Sequence, residues 1–375
     1  MSDAASAEQP EPEQGPQTGP PPEQMPRAWL DDHGGGSVLA AGFGKPVPTV
    51  PRRSARCRVL RFTALTAAVA LTAGAAAAWM LYEDLDGNIR TDTATERTLS
   101  QIPDGRPGPA AGGAQNILLL GSDKEAGTGS ERSDTTMLLH LSADRTSAAL
   151  MSVPRDLLVQ VPSCRRPSGG RTRPQRVQFN WAYGLGGPAC TILTFEKLTG
   201  IRVDHHVVVD FSGFKQIVDA AGGVTLEVDV PVYDPESGVR LKPGTQRLDG
   251  AKALVYVRTR LGVGDGSDTQ RMGRQQRFMR ALMDKIMDSG TLKDPARIYP
   301  LLRAVTSSMT ADPGLNSIKE LYTLVDRATA IDSTDTNFLI LPRRSSRIDH
   351  ERDELAQPDA RRLFERLRKD QDINS

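Results

Sequence analysis

Twenty-one consecutive residues, Phe62 to Tyr82 (FTALTAAVALTAGAAAAWMLY), carry no charged side chain. A helix of that length rises roughly 30 Å, enough to cross the hydrocarbon core of a bilayer. The stretch is rich in alanine. Leu65, Val69, Leu71, Met80 and Leu81 add apolarity, and Phe62, Trp79 and Tyr82 fall near the two interfaces, where amphipathic rings are at home. Arg52, Arg53, Arg56, Arg58 and Arg61 precede it, and Glu83, Asp84 and Asp86 follow. Flanking arginines stay on the cytoplasmic side, so residues 1–61 are expected inside and everything after Tyr82 outside. The rival reading is a cleavable signal peptide. About sixty residues ahead of the apolar run are too many for the positively charged leader of such a peptide, so an uncleaved anchor is expected.

Composition divides the chain further. Ten of the 26 prolines fall within residues 1–51, among Gln, Glu, Gly and Ala without apolar periodicity. Such a segment cannot bury enough surface to offset its chain entropy and reads as disordered. Lys and Arg number 47 against 46 Asp and Glu, a net charge of +1, which excludes polyanion binding through bulk charge. No nucleic-acid partner is expected. Positions 1–61 hold equal numbers of acidic and basic residues, so the rest is as nearly neutral and any anion binding must come from local clusters. The expected organisation is a disordered cytoplasmic tail over 1–58, a transmembrane helix over 59–82 and a stalk over 83–114. An extracytoplasmic domain over 115–345 and a charged helix or tail over 346–375 complete it.

From Asn116 onward short apolar runs alternate with amphipathic segments. Asn116–Gly121, Thr135–Leu141, Ala148–Val153, His205–Val209, Val224–Val230 and Asn337–Leu341 read as strands. Pro188–Leu198, Phe211–Ala221, Leu248–Tyr256, Asp268–Asp288, Pro295–Ser308 and Leu315–Ala328 read as helices. Alternation of this kind predicts an α/β domain, three layers with helices on both faces of a mixed central sheet. Cys57 abuts the membrane helix, a candidate for acylation or a bystander thiol. Cys164 and Cys190 both lie in the exported part, where oxidation is permitted. A disulfide between them would close a loop of about 27 residues, worth roughly 3–4 kcal/mol; two reduced buried thiols are the alternative. The spacing for a Cys/His zinc site, a phosphate-binding glycine loop and a nucleophile elbow are all missing from the sequence. His140, His205 and His206 sit in expected strands and read as structural.

The chemistry gathers at strand ends, where α/β folds build sites. Asn116–Gly121 runs into Ser122 and Asp123; Arg132-Ser133-Asp134 precedes the next strand; Pro154-Arg155-Asp156 follows the third. Each alone is more often a surface ion pair or turn former, but three together mark a site. A second cluster holds Arg258 and Arg260, then Asp268, Arg271 and Gln275. On a helix the last three lie within about 60° of one another; Asp268 and Arg271 could equally be a simple helical ion pair. Arg258 and Arg260 share a face only in an extended segment, so the chain is expected to leave its helix by Val257. Guanidiniums that hold oxygens bidentately, with carboxylates for a divalent metal, are what a pyrophosphate ester requires.

These segments resemble the LytR-CpsA-Psr (LCP) family of the Gram-positive envelope. The resemblance runs from Asn116 to Asp288 through NILLLGSD (116–123), RSDT (132–135), SVPRD (152–156) and FNWAYGLGG (179–187). It continues through KLTGIRVDHHVVVDFSGF (197–214), VDAAGGV (218–224), LDGAKALVYVRTR (248–260) and DGSDTQRMGRQQ (265–276). It implies a phosphotransferase that moves a polyprenyl-pyrophosphate-linked glycopolymer onto a muramic acid hydroxyl of peptidoglycan, leaving a phosphodiester and releasing polyprenyl phosphate. By motif, Asp123 and Asp134 would hold Mg²⁺ (or Mn²⁺), and Arg132, Arg155, Arg258, Arg260 and Arg271 would bind the pyrophosphate. Asp268 and Gln275 would orient those arginines or contact phosphate. Two positions depart from the family pattern: Gln178 stands two before Asn180, where lysine is common, and Lys124 follows Asp123, where small polar residues are.

The pyrophosphate is already activated, so the protein need only neutralise and position it. The lipid tail requires an apolar groove, for which the helices over 211–221 and 272–287 are candidate walls. Two other function classes use the same residues: a pyrophosphatase acting on lipid or soluble pyrophosphates, and a non-catalytic envelope receptor or regulator. Neither the glycopolymer nor the general base is legible in the residues.

Overall fold

The computed structural model describes residues 55–102, 105–123, 133–259, 268–288, 294–331, 335–347, 349 and 352–372. The tail expected to be disordered, as far as Ser54, lies outside them. Contacts divide the chain into Met1–Thr63 and Ala64–Ser375. The first unit is described only from Ala55, where it is helical.

Helix α1 spans Ala55–Gly87. Its segment Arg58–Gly87 has a mean hydropathy of 1.7 in its most apolar window and none of that window is buried, so it is long and apolar enough to cross a membrane. It ends in a network. Asp84 accepts from Tyr299 Oη at 2.9 Å and lies 3.5 Å from Arg303 Nε, and Asp86 accepts from Ile318 N at 2.8 Å.

The next residues were expected to be a stalk, and here the structure corrects the sequence reading. They form β1 (Arg90–Thr91) and α2 (Thr93–Ser100), capped by Asp92, whose carboxylate accepts from Thr95 N. Leu85, Ile89 and Leu99 are buried. A two-residue strand has no periodicity to read, and its membership in a sheet comes entirely from the partner.

The domain continues with β2 (Gln115–Ser122), β3 (Ser133–Leu141), β4 (Ala148–Val153), and a hairpin of β5 (Leu158–Val161) and β6 (Gln175–Gln178). Helix α3 (Trp181–Thr199) starts earlier than expected. It breaks at Gly186-Gly187, so Pro188 opens its second half, and Gly200 closes it in the left-handed region at φ 68°. Strand β7 (His205–Asp210) leads into α4 (Phe211–Ala220), then β8 (Val224–Val228), β9 (Val232–Tyr233), β10 (Arg240–Leu241) and β11 (Gly244–Leu248). Helices α5 (Gly250–Arg258), α6 (Asp268–Asp288) and α7 (Pro295–Ser308), strand β12 (Met309–Ala311) and helix α8 (Ile318–Thr329) follow. Strands β13 (Thr336–Ile340), β14 (Arg343–Ser345) and β15 (Asp353–Leu355) precede α9 (Asp359–Arg368).

Among the described residues the central sheet runs β1-β12-β7-β2-β3-β4-β13. It is mixed: β2 is antiparallel to β3 and parallel to β7, and β4 is antiparallel to β3 and parallel to β13. Side chains alternate across it, as the strand period demands. Leu118, Leu120, Leu138 and Met151 face α2, α3 and α9 through Leu99, Ile192, Phe195 and Phe364. Ile117, Leu139, Leu141 and Ala148 face α8 through Leu324 and Ala328. The expected three-layer α/β/α domain is therefore present. The charged C-terminus departs from expectation, for α9 is part of the fold: Ala360, Phe364 and Leu367 are buried in the main core. A second core joins α4, α5, α6 and α7 to the β8–β11 pair, which lies outside the central sheet. Gly213 lets α4 approach α7, since a Cβ there would stand 2.7 Å from Ser308 O. Cys164 and Cys190 are neighbours, with Cα atoms 5.5 Å apart.

Candidate active site

The register of β2 and β3 slips by one residue at the end of the pair. Gly121 is opposite Thr135 and Ser122 is opposite Ser133, leaving Asp134 as the extra residue of a β-bulge. Bulges re-aim side chains, and this one turns the Asp134 carboxylate to Arg155, which donates to it from Nη1. Both groups are largely buried, at 21% and 14% side-chain exposure, so the pair is screened less than a surface one. Asp123, one residue past β2, is half-buried at the same end of the strands.

Arg155 is held from behind. Its Nε lies 3.7 Å from Asp156 Oδ2, and its carbonyl accepts from Asn180 N at 3.1 Å. Gln178 donates to Asp156 Oδ1 at 2.8 Å and accepts from Trp181 Nε1 at 2.7 Å. The departure from family pattern at position 178 is thus a bridging amide.

Helix α6 supplies the opposite wall. Arg271 and Gln275 are both buried on one face, as their spacing predicts. Gln275 donates to Thr135 Oγ1 at 3.0 Å and to Val257 O at 3.2 Å, which ties α6 to the residue following Asp134. Arg258 is the last residue of α5, and Thr259 is extended at φ −65°, ψ 133°. The chain therefore leaves the helix after Arg258, one residue later than the expected exit by Val257. Arg274 fixes this exit. Its guanidinium donates to the carbonyls of Tyr256 and Thr259, the carbonyl groups a helix end leaves open. Arg258 reaches over Phe211 at 5.0 Å and lies 3.4 Å from Glu236.

Asp134, Arg155 and Gln275 are thus linked through Thr135 at the β2–β3 end, with Asp123 one residue past β2, Arg271 on the buried face of α6 and Arg258 at the end of α5. Arg132, Arg260 and Lys124 lie outside the described residues, and Asp268 is placed only as the first residue of α6. Sequence reading named Asp156 in a strand-end cluster and Gln178 as a departure from the family pattern without giving either a role behind Arg155, and it missed Asp210, which caps α4 by accepting from Gly213 N at 2.7 Å. Asp210 had a legible signal, a carboxylate between an apolar strand and an amphipathic helix. The contact between Asp156 and Gln178 had none, because it joins residues 22 apart.

Behind this polar end lies an apolar cavity of about 150 Å³, open to solvent. Its floor is the sheet face of Leu119, Met137, Val207 and Val209; its walls are Phe211 and Phe214 of α4, Leu254 and Val257 of α5, and Phe278 and Met279 of α6. Gly121, Thr135 and Gln275 line it as well, so it abuts the polar cluster. The expected walls, α4 and α6, are among the three observed, with α5 as the third. Among the described residues no group of three or more His, Cys, Asp or Glu could hold a metal by itself.

Residues 81–369 match the LytR_cpsA_psr family. LcpB of Corynebacterium glutamicum, a probable cell wall biosynthesis protein, is 35% identical over 215 residues, 53% of this chain and 48% of that protein. The chain spans about half the length of the curated relatives it matches. A LytR-Csp2A-Psr enzyme from Actinomyces oris shares the fold with a TM-score of 0.56 at 24% identity, over 70% of this chain and 93% of that one. So does TagT bound to LI-WTA, with a TM-score of 0.53 at 24% identity, over 71% and 94%. The chain belongs to the LytR-CpsA-Psr family.

Proposed function

We propose that the chain transfers a polyprenyl-pyrophosphate-linked glycopolymer onto peptidoglycan, with Mg²⁺ (or Mn²⁺) assisting. The observation that carries this reading is the junction of the two halves of the site: an apolar cavity of about 150 Å³, open to solvent, ends at Thr135 and Gln275, beside the Asp134–Arg155 pair. An amphiphile with a lipid tail and an anionic head matches that shape. The solved TagT structure with LI-WTA bound supports a ligand of this general kind.

In this reading the lipid occupies the cavity, and Arg155, Arg258 and Arg271 hold the pyrophosphate, with Arg132 and Arg260 joining them. Gln275 fixes the α6 wall against Thr135. A peptidoglycan hydroxyl oxygen attacks the sugar-bearing phosphorus; the bond from that phosphorus to the bridging oxygen breaks, and polyprenyl phosphate leaves. The hydroxyl proton passes to a carboxylate or water at the site. Two carboxylates, Asp123 and Asp134, suit Mg²⁺, which takes one or two protein carboxylates together with substrate phosphates and waters. When bound it would neutralise charge on the phosphate oxygens. The arginines act as preorganised stabilisers of the same charge. The helix Arg58–Gly87 serves as a single-pass anchor with the domain outside, where Cys164 and Cys190 form a disulfide.

The test is reconstitution with a labelled polyprenyl-pyrophosphate oligosaccharide and peptidoglycan. Label should appear in peptidoglycan, and Arg258→Ala, a surface change at a helix end, should lower its rate on the order of 10²-fold. Phosphate release without labelled peptidoglycan would make the chain a hydrolase. Full transfer by Arg258→Ala would place the phosphate elsewhere.

A further inference from the structure

Trp181 is 43% exposed although it opens α3 next to the site. Large apolar side chains exposed to this degree are few outside α1 among the described residues, and this one is anchored at a defined edge. Its indole N–H donates to Gln178 Oε1 at 2.7 Å, and Gln178 donates onward to Asp156, the carboxylate behind Arg155. The neighbouring Asn180 N–H donates to Arg155 O at 3.1 Å, so Trp181 starts one residue, roughly 3.8 Å of chain, from a direct bond to the Arg155 backbone.

Gln178 is suited to this arrangement. An amide both donates and accepts, whereas a lysine has three donors and no acceptor. A lysine at 178 could meet Asp156 but would leave the indole N–H without this acceptor. The residue that departs from the family pattern and the exposed tryptophan are therefore one unit.

An anchored, partly exposed indole presents a flat, electron-rich face. Pyranose rings carry a face of C–H groups, made positive by neighbouring oxygens, that packs on such a surface. The ring that must lie within reach is the one esterified to the pyrophosphate, because its phosphorus is held at Arg155. We propose that Trp181 is the stacking platform for this first pyranose of the donor, and that Gln178 is its positioning residue. The proposal rests on the transfer reading above for the placement of the pyrophosphate.

The chain holds three tryptophans, Trp29, Trp79 and Trp181, so Trp29→Phe with Trp79→Phe leaves Trp181 as the sole tryptophan to be excited selectively at the red edge of its absorption in the full-length protein. In nanodiscs, a short-chain polyprenyl-pyrophosphoryl N-acetylglucosamine should shift and quench its emission, and the same lipid pyrophosphate without sugar should not. Trp181→Ala should raise KM for the sugar-bearing donor about tenfold with little change in kcat, the size of one aromatic contact. Trp181→Phe should restore most of the loss, and Gln178→Lys should raise KM as well. Equal emission changes with both lipids, or an unchanged KM in Trp181→Ala, overturns the platform. A sugar-dependent emission change without any transfer to peptidoglycan supports the platform and removes the transferase reading instead.

Discussion

Asp134 owes its position to a single slip of register, and its chemistry follows from that. In an unbroken ladder the residue would pair across to β2; as the extra residue of the bulge it meets Arg155 and stands near Asp123. Asp134→Asn tests its role with little risk to the fold. The amide oxygen still accepts from Arg155, no core volume is lost, and the anionic charge needed by a divalent cation disappears. The Mg²⁺ concentration for half-maximal transfer should rise at least about tenfold while the thermal midpoint stays within a few degrees. An unchanged Mg²⁺ response would remove Asp134 from the metal site. At this scale the sequence was informative where a charged residue interrupts an apolar run, as at Asp123 and Arg155. It was silent on partners such as Gln178 and Asp156, since a hydrogen bond between distant residues leaves no local pattern.

The cavity is a property of elements, and its existence follows from which of them cover the sheet. The face of Ile117, Leu139 and Ala148 is closed by α8, while Leu119, Met137, Val207 and Val209 further along are left facing space beneath α4, α5 and α6. A larger side chain there enters open volume and not a packed core, so its cost in stability is small. Val209→Trp should displace lipid. Each methylene kept from burial forfeits about 0.8 kcal/mol, so use of a long-chain donor should fall more than about tenfold. A water-soluble short-chain donor should be affected far less, and kinetics against chain length, with a melting curve as control, decides it. Equal losses on both donors would mean that the cavity does not hold the tail. The longer strands of the central sheet were legible as apolar runs and β8 through its period of two, as were the helices lining the cavity through their spacing; β11 was not, since Gly244–Leu248 (GTQRL) is mostly polar. The short strands β1 and β12 were not, because two or three residues carry no period, which is why the segment after α1 read as a stalk. The burial of α9 was hidden by its charge, although Ala360, Phe364 and Leu367 keep the i, i+4, i+7 spacing of a buried face.

At the scale of the whole molecule, histidine–aspartate pairs join parts of the chain that sequence separation keeps apart. His140 lies 3.0 Å from Asp370 beyond α9, His205 lies 3.1 Å from Asp312, and His206 lies 3.2 Å from Asp92 at the start of α2. Burial alone would raise the Asp92 pKa, but hydrogen bonds from His206 and Thr95 and the charge of His206 outweigh it and carry it down to about 2. A carboxylate with a depressed folded pKa contributes stability above its unfolded value of about 3.8 that is lost as pH falls toward 2. Asp312 is also lowered, burial being outweighed by His205 and by the backbone N–H groups of His206 and Gly314, so it acts in the same direction. Burial lowers the His140 pKa, and protonating it at acid pH costs stability too. His205 has the opposite sign: its bond to Asp312 raises its pKa, so its contribution is full below about 6.5 and lost as pH rises through the raised value. The acid side should therefore be the steep one. Asp92→Asn separates charge from capping, because asparagine caps a helix as well as aspartate does. It should cost about 1–2 kcal/mol at neutral pH, after allowance for screening at this half-buried position, and flatten the fall of the melting temperature between pH 4 and about pH 2. Melting curves of the detergent-solubilised protein across that range measure this directly. If the variant keeps the slope of the wild type, the bond from His206 to Asp92 contributes nothing to holding α2 against the sheet.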